Sequence, residues 1–154
     1  MDKQLEALFE KLRNLPEFFE IDISDVNACG HEGDNALHVV VRWGDIDAAK
    51  LLIQHGIDVN RAGDLGYTPL HVACMSGNKD MVKLLVDNGA DLFALSEGYP
   101  PFTTARLAGQ DAICEMLAPL MDRAQKRDPR AWLKARLGQL RREIAQIERK
   151  LDEK

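Results

Sequence analysis

The stretch GYTPLHVACMSGNKDMVKLLVDNGAD, residues 66–91, decides the fold. Thr68 can cap a helix because its hydroxyl oxygen accepts hydrogen bonds from the first free backbone N–H groups. Pro69 follows at the first helical position, where its missing N–H leaves no hydrogen bond unmade. Gly77 supplies the left-handed backbone that ends such a helix. The sequence therefore predicts a short helix from Pro69 to about Ser76.

A second helix is predicted directly after Gly77, ending at Gly89. Asp80 lies near its start, where negative charge is favourable. Its apolar residues fall on one stripe of the helix; they are Met81, Val82, Leu84 and Leu85. One pair of short antiparallel helices is too small to bury its own apolar face, so neighbouring pairs must stack on one another.

The same pattern recurs along the chain at offsets of 33 and 32 residues. The first offset aligns Gly33 with Gly66, Leu37 with Leu70, His38 with His71, Gly44 with Gly77 and Gly56 with Gly89. The second aligns Pro69 with Pro101, Ala73 with Ala105 and Gly77 with Gly109. Towards the N-terminus, Asp25-Val26-Asn27 repeats Asp58-Val59-Asn60, and Phe18-Phe19 aligns with Leu51-Leu52. The chain therefore holds three copies of one unit, preceded by a partial copy.

The second copy carries Thr68-Pro69-Leu70-His71, then Gly77, Leu84-Leu85 and Gly89-Ala90-Asp91. This set resembles the ankyrin-repeat signature, over about residues 4–124 of the chain. The first copy has Asn35-Ala36-Leu37-His38 in the same place. The third copy departs further, because Pro100-Pro101-Phe102-Thr103 lacks the histidine.

The resemblance implies an all-α fold, an ankyrin-repeat solenoid of stacked antiparallel helix pairs with β-turn loops. We expect a repeat domain over residues 1–124, with a cap at 1–29 and repeats at about 30–62, 63–94 and 95–124. A long amphipathic helix is expected over residues 128–154. In ankyrin repeats, the histidine at positions 38 and 71 is structural, bridging the backbone of adjacent loops, which favours this role over a metal ligand.

Composition and charge restrict the kinds of partner that the protein is expected to bind. The chain of 154 residues has a net charge of −5. Residues 123–154 carry eleven Lys or Arg against five Asp or Glu, whereas residues 1–122 carry nine against twenty. An acidic body repels phosphate backbones and favours a basic protein partner. Nucleic acid binding by the tail, where Trp132 offers the one stacking ring, is therefore a weaker expectation.

Neither catalysis nor a cofactor is expected. The sequence has no Gly-rich phosphate loop, nucleophile elbow or paired-carboxylate motif, and the spacing of Cys29, Cys74 and Cys114 fits no zinc site. We therefore predict a protein that is not an enzyme, with reduced cysteines and no metal. The first ten residues mix charges without an apolar run, and no segment is apolar enough for a membrane span. These features predict a cytoplasmic protein.

What remains is a protein-binding surface. In ankyrin proteins, partners contact the loop positions beside the turn glycine and the outward residues at the end of each first helix. Here those positions are His31, Glu32, Asp34, Arg42, Trp43, Asp64, Leu65, Tyr67, Met75, Ser76, Glu97, Tyr99 and Leu107, with Ser96 beside them. Aromatic and apolar side chains expected to face solvent, ringed by acidic residues, are typical of a binding hot spot. For Trp43 we weigh internal packing equally.

The sequence thus predicts a module that binds a basic partner, and masks or inhibits it, through the concave face of the repeats. The alternative is an assembly protein whose tail self-associates or docks to a scaffold while the repeats recruit a client. Which of these roles applies, and the partner's identity, are left open by the residues, because one fold serves unrelated functions.

The tail helix opens at Asp128 and Pro129. Its apolar residues alternate spacings of four and three and form a coiled-coil seam: Leu133, Leu137, Leu140, Ile144, Ile147 and Leu151. A parallel homodimer would set Arg136 against Arg141 and Glu143 against Glu148, which are like-charged pairs, and is disfavoured. The seam is expected to pair antiparallel with a second copy, to bind another protein's helix, or to fold back on the repeats.

Overall fold

A computed structural model describes residues 2–152, except the side chains at positions 131, 135, 139, 142, 143, 146 and 150–152, so Leu151 of the predicted seam lies outside the described side chains. The helices are α1 (Lys3–Arg13), α2 (Ala36–Trp43), α3 (Ile46–Gln54), α4 (Pro69–Ser76), α5 (Lys79–Asp87), α6 (Pro101–Leu107), α7 (Asp111–Arg127) and α8 (Pro129–Asp152). The described residues contain isolated β-bridges and no longer strand. The predicted all-α class is confirmed.

Local sequence explains where the repeat helices begin and end. Asn35 caps α2 by accepting hydrogen bonds from the backbone of Leu37 and His38, and Thr68 forms the equivalent capping box of α4 with His71. Gly44 and Gly77 adopt the left-handed backbone, with φ of 73° and 77°, that ends α2 and α4. Because such φ values favour glycine, these two residues let the chain turn at once into the second helix of each pair.

The helix pairs stack on one another in the order in which they occur along the chain. The first helices, α2, α4 and α6, pack on one another more extensively than the second helices, α3, α5 and α7. Closer packing on the side of the first helices makes that side concave. The core runs through the whole stack and includes the fully buried Leu37, Leu52, Leu70, Leu85 and Leu117.

The N-terminal copy differs from the sequence alignment. A single helix, α1, packs against α3, the second helix of the first pair, and a 3-10 turn over Pro16–Phe18 follows it. Phe18 is buried, but Phe19 is 64% exposed, although it aligns with the buried Leu52. The 3-10 turn replaces the helical register of the aligned segment in α3, so Phe18 stays in the core and Phe19 lies outside it. Within α1, Leu5, Leu8, Phe9 and Leu12 cover the end of the core.

An asparagine clamp, which the sequence analysis did not foresee, joins consecutive turns. The Asn27 side chain donates to the carbonyl of Gly56 and accepts from the N–H of Asp58, over 3.3 Å and 2.7 Å. Asn60 repeats this one unit later, on Gly89 and Asp91, over 2.9 Å and 2.7 Å. The next position in the series is Phe93, which is buried, so the clamp series ends where the last repeat begins.

The tail follows the last repeat without an extended linker. α7 continues through Pro119 to Arg127, and α8 begins two residues later and packs against α7. At Gly138, α8 passes so close to Leu95 that an added Cβ would collide with the Leu95 side chain. The described residues of the seam, Leu133, Leu137, Leu140, Ile144 and Ile147, are all exposed. The three arrangements expected for the seam therefore stay predictions.

Candidate protein-binding face

The two repeat histidines fix the loops that border the concave face. The Nδ1 of His38 lies 3.1 Å from the backbone nitrogen and 2.8 Å from the side-chain Oδ1 of Asn35, and its Nε2 lies 2.9 Å from the carbonyl oxygen of Tyr67. His71 accepts from the N–H and the hydroxyl of Thr68 at Nδ1, and its Nε2 donates to the carbonyl of Tyr99, over 3.0 Å. Each imidazole thus links the start of its own helix to the next loop, as the resemblance implied.

Both imidazoles are completely buried. Burial lowers the pKa of His38 and of His71 below the ordinary value, because the charged form loses its hydration. For His71 the uncharged ring, with one acceptor and one donor nitrogen, is also the form that matches the hydrogen bonds. The structural role predicted for both residues is confirmed.

The loops themselves are tight turns with exposed tips. Ser96 and Tyr99 exchange backbone hydrogen bonds of 3.0 Å and 2.8 Å across Glu97 and Gly98, both of which have positive φ. Leu65 likewise has a positive φ, of 51°, in the preceding loop. A non-glycine residue in this region is uncommon, and here it turns the Leu65 and Glu97 side chains outwards, where both are exposed.

An apolar ladder runs along the concave face. Trp43, Met75 and Leu107 lie at the C-terminal ends of α2, α4 and α6, with 47%, 45% and 71% of their surface exposed. The three helices are neighbours in the stack, and we call these three exposed side chains together the concave strip. Leu65, 63% exposed, adds a fourth apolar group at a loop tip. For Trp43, the structure favours a solvent-facing position over internal packing.

Acidic side chains stand on the loops that precede the helices of the concave strip. Glu32, Asp64 and Glu97 stand at the tips of three successive loops, and all three are exposed. His31 and Ser76 are also exposed, and the His31 ring contacts the carbonyl of Phe19 over 2.9 Å. An apolar centre with a charged border has the anatomy of a protein-binding surface.

Other residues predicted for this face have internal partners. Asp34 is buried, and its carboxylate accepts from Arg42 at 2.6 Å and from the N–H of Asp64 at 3.1 Å. Arg42 also pairs with Glu17 at 3.1 Å. Asp34 therefore belongs to the framework, which corrects its expected position at the surface. The reason is that Arg42, near the end of α2, supplies a cation and the next loop supplies the N–H of Asp64.

Two aromatic residues expected to face solvent are only half exposed. Tyr67 packs the edge of its ring against His71, with ring centroids 5.7 Å apart, and Tyr99 is likewise half-buried. Ser96 is buried and donates its hydroxyl hydrogen to the carbonyl of Leu65, over 3.1 Å. These three side chains support the loops as well as bordering the face, which the sequence pattern could not distinguish.

Among the side chains that the structure describes, no group of three or more His, Cys, Asp or Glu residues is placed to hold a metal ion. Cys29, Cys74 and Cys114 are all free thiols. None of the helices within the described residues has the length and apolar character of a membrane-spanning segment.

This geometry defines a repeat protein of stacked helix pairs with a concave, loop-bordered face. A family model of ankyrin repeats (3 copies) matches residues 5–96 and 62–128, and the chain therefore belongs to the ankyrin-repeat family. Ankyrin repeats are protein-interaction modules and are generally non-enzymatic. No curated protein matches the chain.

Proposed function

We propose that this protein binds a basic partner protein through the concave strip and masks or inhibits it. The observation that carries the proposal is the exposure of Trp43, Met75 and Leu107 on three neighbouring helices. Large apolar side chains that stay in contact with water on a folded surface gain free energy when a partner covers them. Trp and Met are also enriched at the centres of protein interfaces.

The charge around the concave strip supports the basic character of the partner. Glu32, Asp64 and Glu97 supply one exposed carboxylate per loop, and Arg42, the cation beside Trp43, is engaged by Asp34 and Glu17. Lys and Arg side chains on a partner would find complementary charge at the border and apolar cover for their stems. Masking follows from shape, because a concave face encloses the segment that it binds.

The proposal places the protein in the cytoplasm and gives it no catalytic role. Three free cysteines, one of them buried, suit a reducing compartment. The buried histidines, the most suitable groups for acid–base chemistry, already use both ring nitrogens in structural hydrogen bonds.

The test is affinity capture from a lysate of the native host with matched variants. Trp43→Ala with Met75→Ala removes apolar contacts, and Glu32→Lys with Asp64→Lys reverses the acidic border. Asp47→Lys with Glu115→Lys makes the same charge change at exposed positions on the second helices, away from the concave face. We expect one stoichiometric basic protein to be retained by the wild type and by this control, and lost with both concave variants. Equal retention by all four proteins would contradict the proposal.

A second candidate function is assembly through the tail while the repeats recruit a client. The exposed seam of α8 favours it, because five large apolar side chains on one helix face are between 39% and 58% exposed. In the capture experiment, retention of only the protein's own copies, unaffected by the concave variants, would favour this function.

A further inference from the structure

The seam of α8 leaves a large apolar surface in water. Leu133, Leu137, Leu140, Ile144 and Ile147 are between 39% and 58% exposed. They follow one side of a helix of 24 residues, at the spacing of four and three that lets two helices wind around each other. Such a helix face gains free energy when another helix covers it.

The position of α8 favours a partner that meets its C-terminal half. α8 packs against α7 and passes Leu95 at Gly138, within its N-terminal half, so these contacts support the helix before any partner binds. Because Gly138 approaches Leu95 from a side of the helix away from the seam, the contact leaves the seam uncovered. A helix that is already ordered loses less conformational entropy on association.

Charges beside the seam distinguish the possible arrangements. In the heptad of the seam, Leu140 and Ile147 occupy d positions and Ile144 occupies an a position. Arg141 and Glu148 directly follow the two d residues, so both occupy e positions, and both are exposed. In a parallel pair, e faces g and the contacts are like-charged, as the sequence predicts. In an antiparallel pair, e faces e of the other helix. A register that sets Ile144 against Ile147 of the second copy then sets Arg141 against Glu148 of the second copy, twice by symmetry.

The competing antiparallel register is one heptad away. It sets Leu140 against Ile144 of the second copy and brings more of the seam into contact, but it places Arg141 opposite Arg141 of the second copy. The register with Ile144 against Ile147 gives up part of the apolar overlap and replaces this repulsion with two ion pairs. Like charges that face each other across a coiled coil destabilise the register in which they meet and so favour the other register.

We infer that α8 pairs with α8 of a second copy as an antiparallel two-helix coiled coil, centred on Ile144 and Ile147, with Arg141 facing Glu148. Antiparallel pairing also sends the two acidic repeat domains to opposite ends of the pair, whereas parallel pairing would bring them together. The inference concerns a surface distinct from the concave strip and does not depend on the function proposed for it.

The test is the molecular mass of the full chain by sedimentation equilibrium over a range of concentrations. We compare the wild type with Arg141→Glu, Glu148→Arg, the double exchange Arg141→Glu with Glu148→Arg, and Arg149→Glu. The last variant is the control, because Arg149 is exposed at the f position, away from the seam. Far-ultraviolet circular dichroism checks that each variant keeps its helices.

We expect a reversible dimer for the wild type and for Arg149→Glu. Each single exchange at the e positions turns two exposed ion pairs into like-charged pairs and should raise the dissociation constant by about tenfold. The double exchange restores opposite charges and should return the dissociation constant to near the wild-type value.

Other outcomes overturn the inference in distinguishable ways. A wild type that stays monomeric at all concentrations excludes the dimer. Single exchanges that strengthen association indicate a parallel pair, because each would place opposite charges at the e and g positions. Opposite effects of Arg141→Glu and Glu148→Arg indicate that the tail binds an acidic surface such as the concave face. Trp43→Ala with Met75→Ala should leave the dimer unchanged, so failure here is separate from failure of the proposed function.

Discussion

The Nε2 of His38 donates a hydrogen bond of 2.9 Å to the carbonyl oxygen of Tyr67, which lies 29 residues further along the chain and in the next loop. This bond joins two repeats through a buried, uncharged ring. His71 repeats it to the carbonyl of Tyr99. The shape of the concave face therefore depends on two imidazoles that never reach its surface.

Removing one of these rings should destabilise the stack. We expect His71→Ala to lower the free energy of unfolding by about 2–4 kcal/mol, because it leaves a cavity and deprives Thr68 and the Tyr99 carbonyl of their partner. Chemical denaturation measures the change. The control is His55→Ala, which alters an exposed histidine paired only with Asp2. Equal small effects of both substitutions would show that the buried ring carries no such role.

Stability should fall as the solution becomes acidic, before the carboxylates titrate. Burial lowers the pKa of His38 and of His71 below the ordinary value of 6.5. The unfolded chain therefore binds protons that the folded chain excludes, so the stabilisation is complete above pH 6.5 and declines as the pH falls below it. We expect the melting temperature to drop between pH 7.5 and 5.5. His38→Gln with His71→Gln should flatten this profile while lowering it overall, and an unchanged slope would contradict the assignment.

The asparagine clamp should contribute to coupling between repeats. Asn60→Ala removes hydrogen bonds to the Gly89 carbonyl and the Asp91 N–H, and we expect a loss of about 1–3 kcal/mol in unfolding free energy. Asn88→Ala is a matched control, since the Asn88 side chain bonds only to Leu84 within its own helix end. Urea titration of both variants tests the difference. A loss no greater for Asn60→Ala than for Asn88→Ala would remove the clamp from the account of stability.

Asp34 should contribute to the stability of the folded protein. Its carboxylate holds Arg42 and the N–H of Asp64, so Asp34→Ala should reduce the unfolding free energy by about 1–3 kcal/mol. The neighbouring Glu32→Ala, at an exposed loop tip, should change it by less than about 0.5 kcal/mol. Thermal unfolding of the two variants provides the comparison, and similar melting temperatures would return Asp34 to the binding surface.

The three thiols should differ in reactivity. Burial raises the pKa of Cys74 to about 12, with a smaller contribution from the nearby Cys114, so almost no thiolate forms there at pH 8. Cys29 and Cys114 are half-buried and should be alkylated first by iodoacetamide. Mass spectrometry of the native protein after timed alkylation follows each site, with the denatured chain as the reference. Early labelling of Cys74 would contradict its burial.

Much of the concave face could be predicted from the sequence, because equivalent residues of successive repeats lie at equivalent places on successive helix pairs. Met75 and Leu107 lie one offset of 32 residues apart, so their spacing predicts that they share one face, whereas Trp43 aligns with Ser76 and lies one position further along its helix. The same reasoning was wrong for Asp34, whose position resembles that of an exposed loop residue. Its burial comes from Arg42 and the N–H of Asp64, and no pattern within a single repeat reveals that a loop will close over a carboxylate.

The sequence by itself determined the repeat, its helices and their caps, because each depends on residues a few positions apart or at one fixed offset, and the resemblance to ankyrin repeats implied the histidine bridges. Only the tertiary structure decided that Phe19 leaves the core, that Asn27 and Asn60 clamp successive turns, and that the seam of α8 faces water. These features depend on how far whole units shift and rotate against one another. That geometry is the sum of many weak packing contacts, so no short stretch of sequence specifies it.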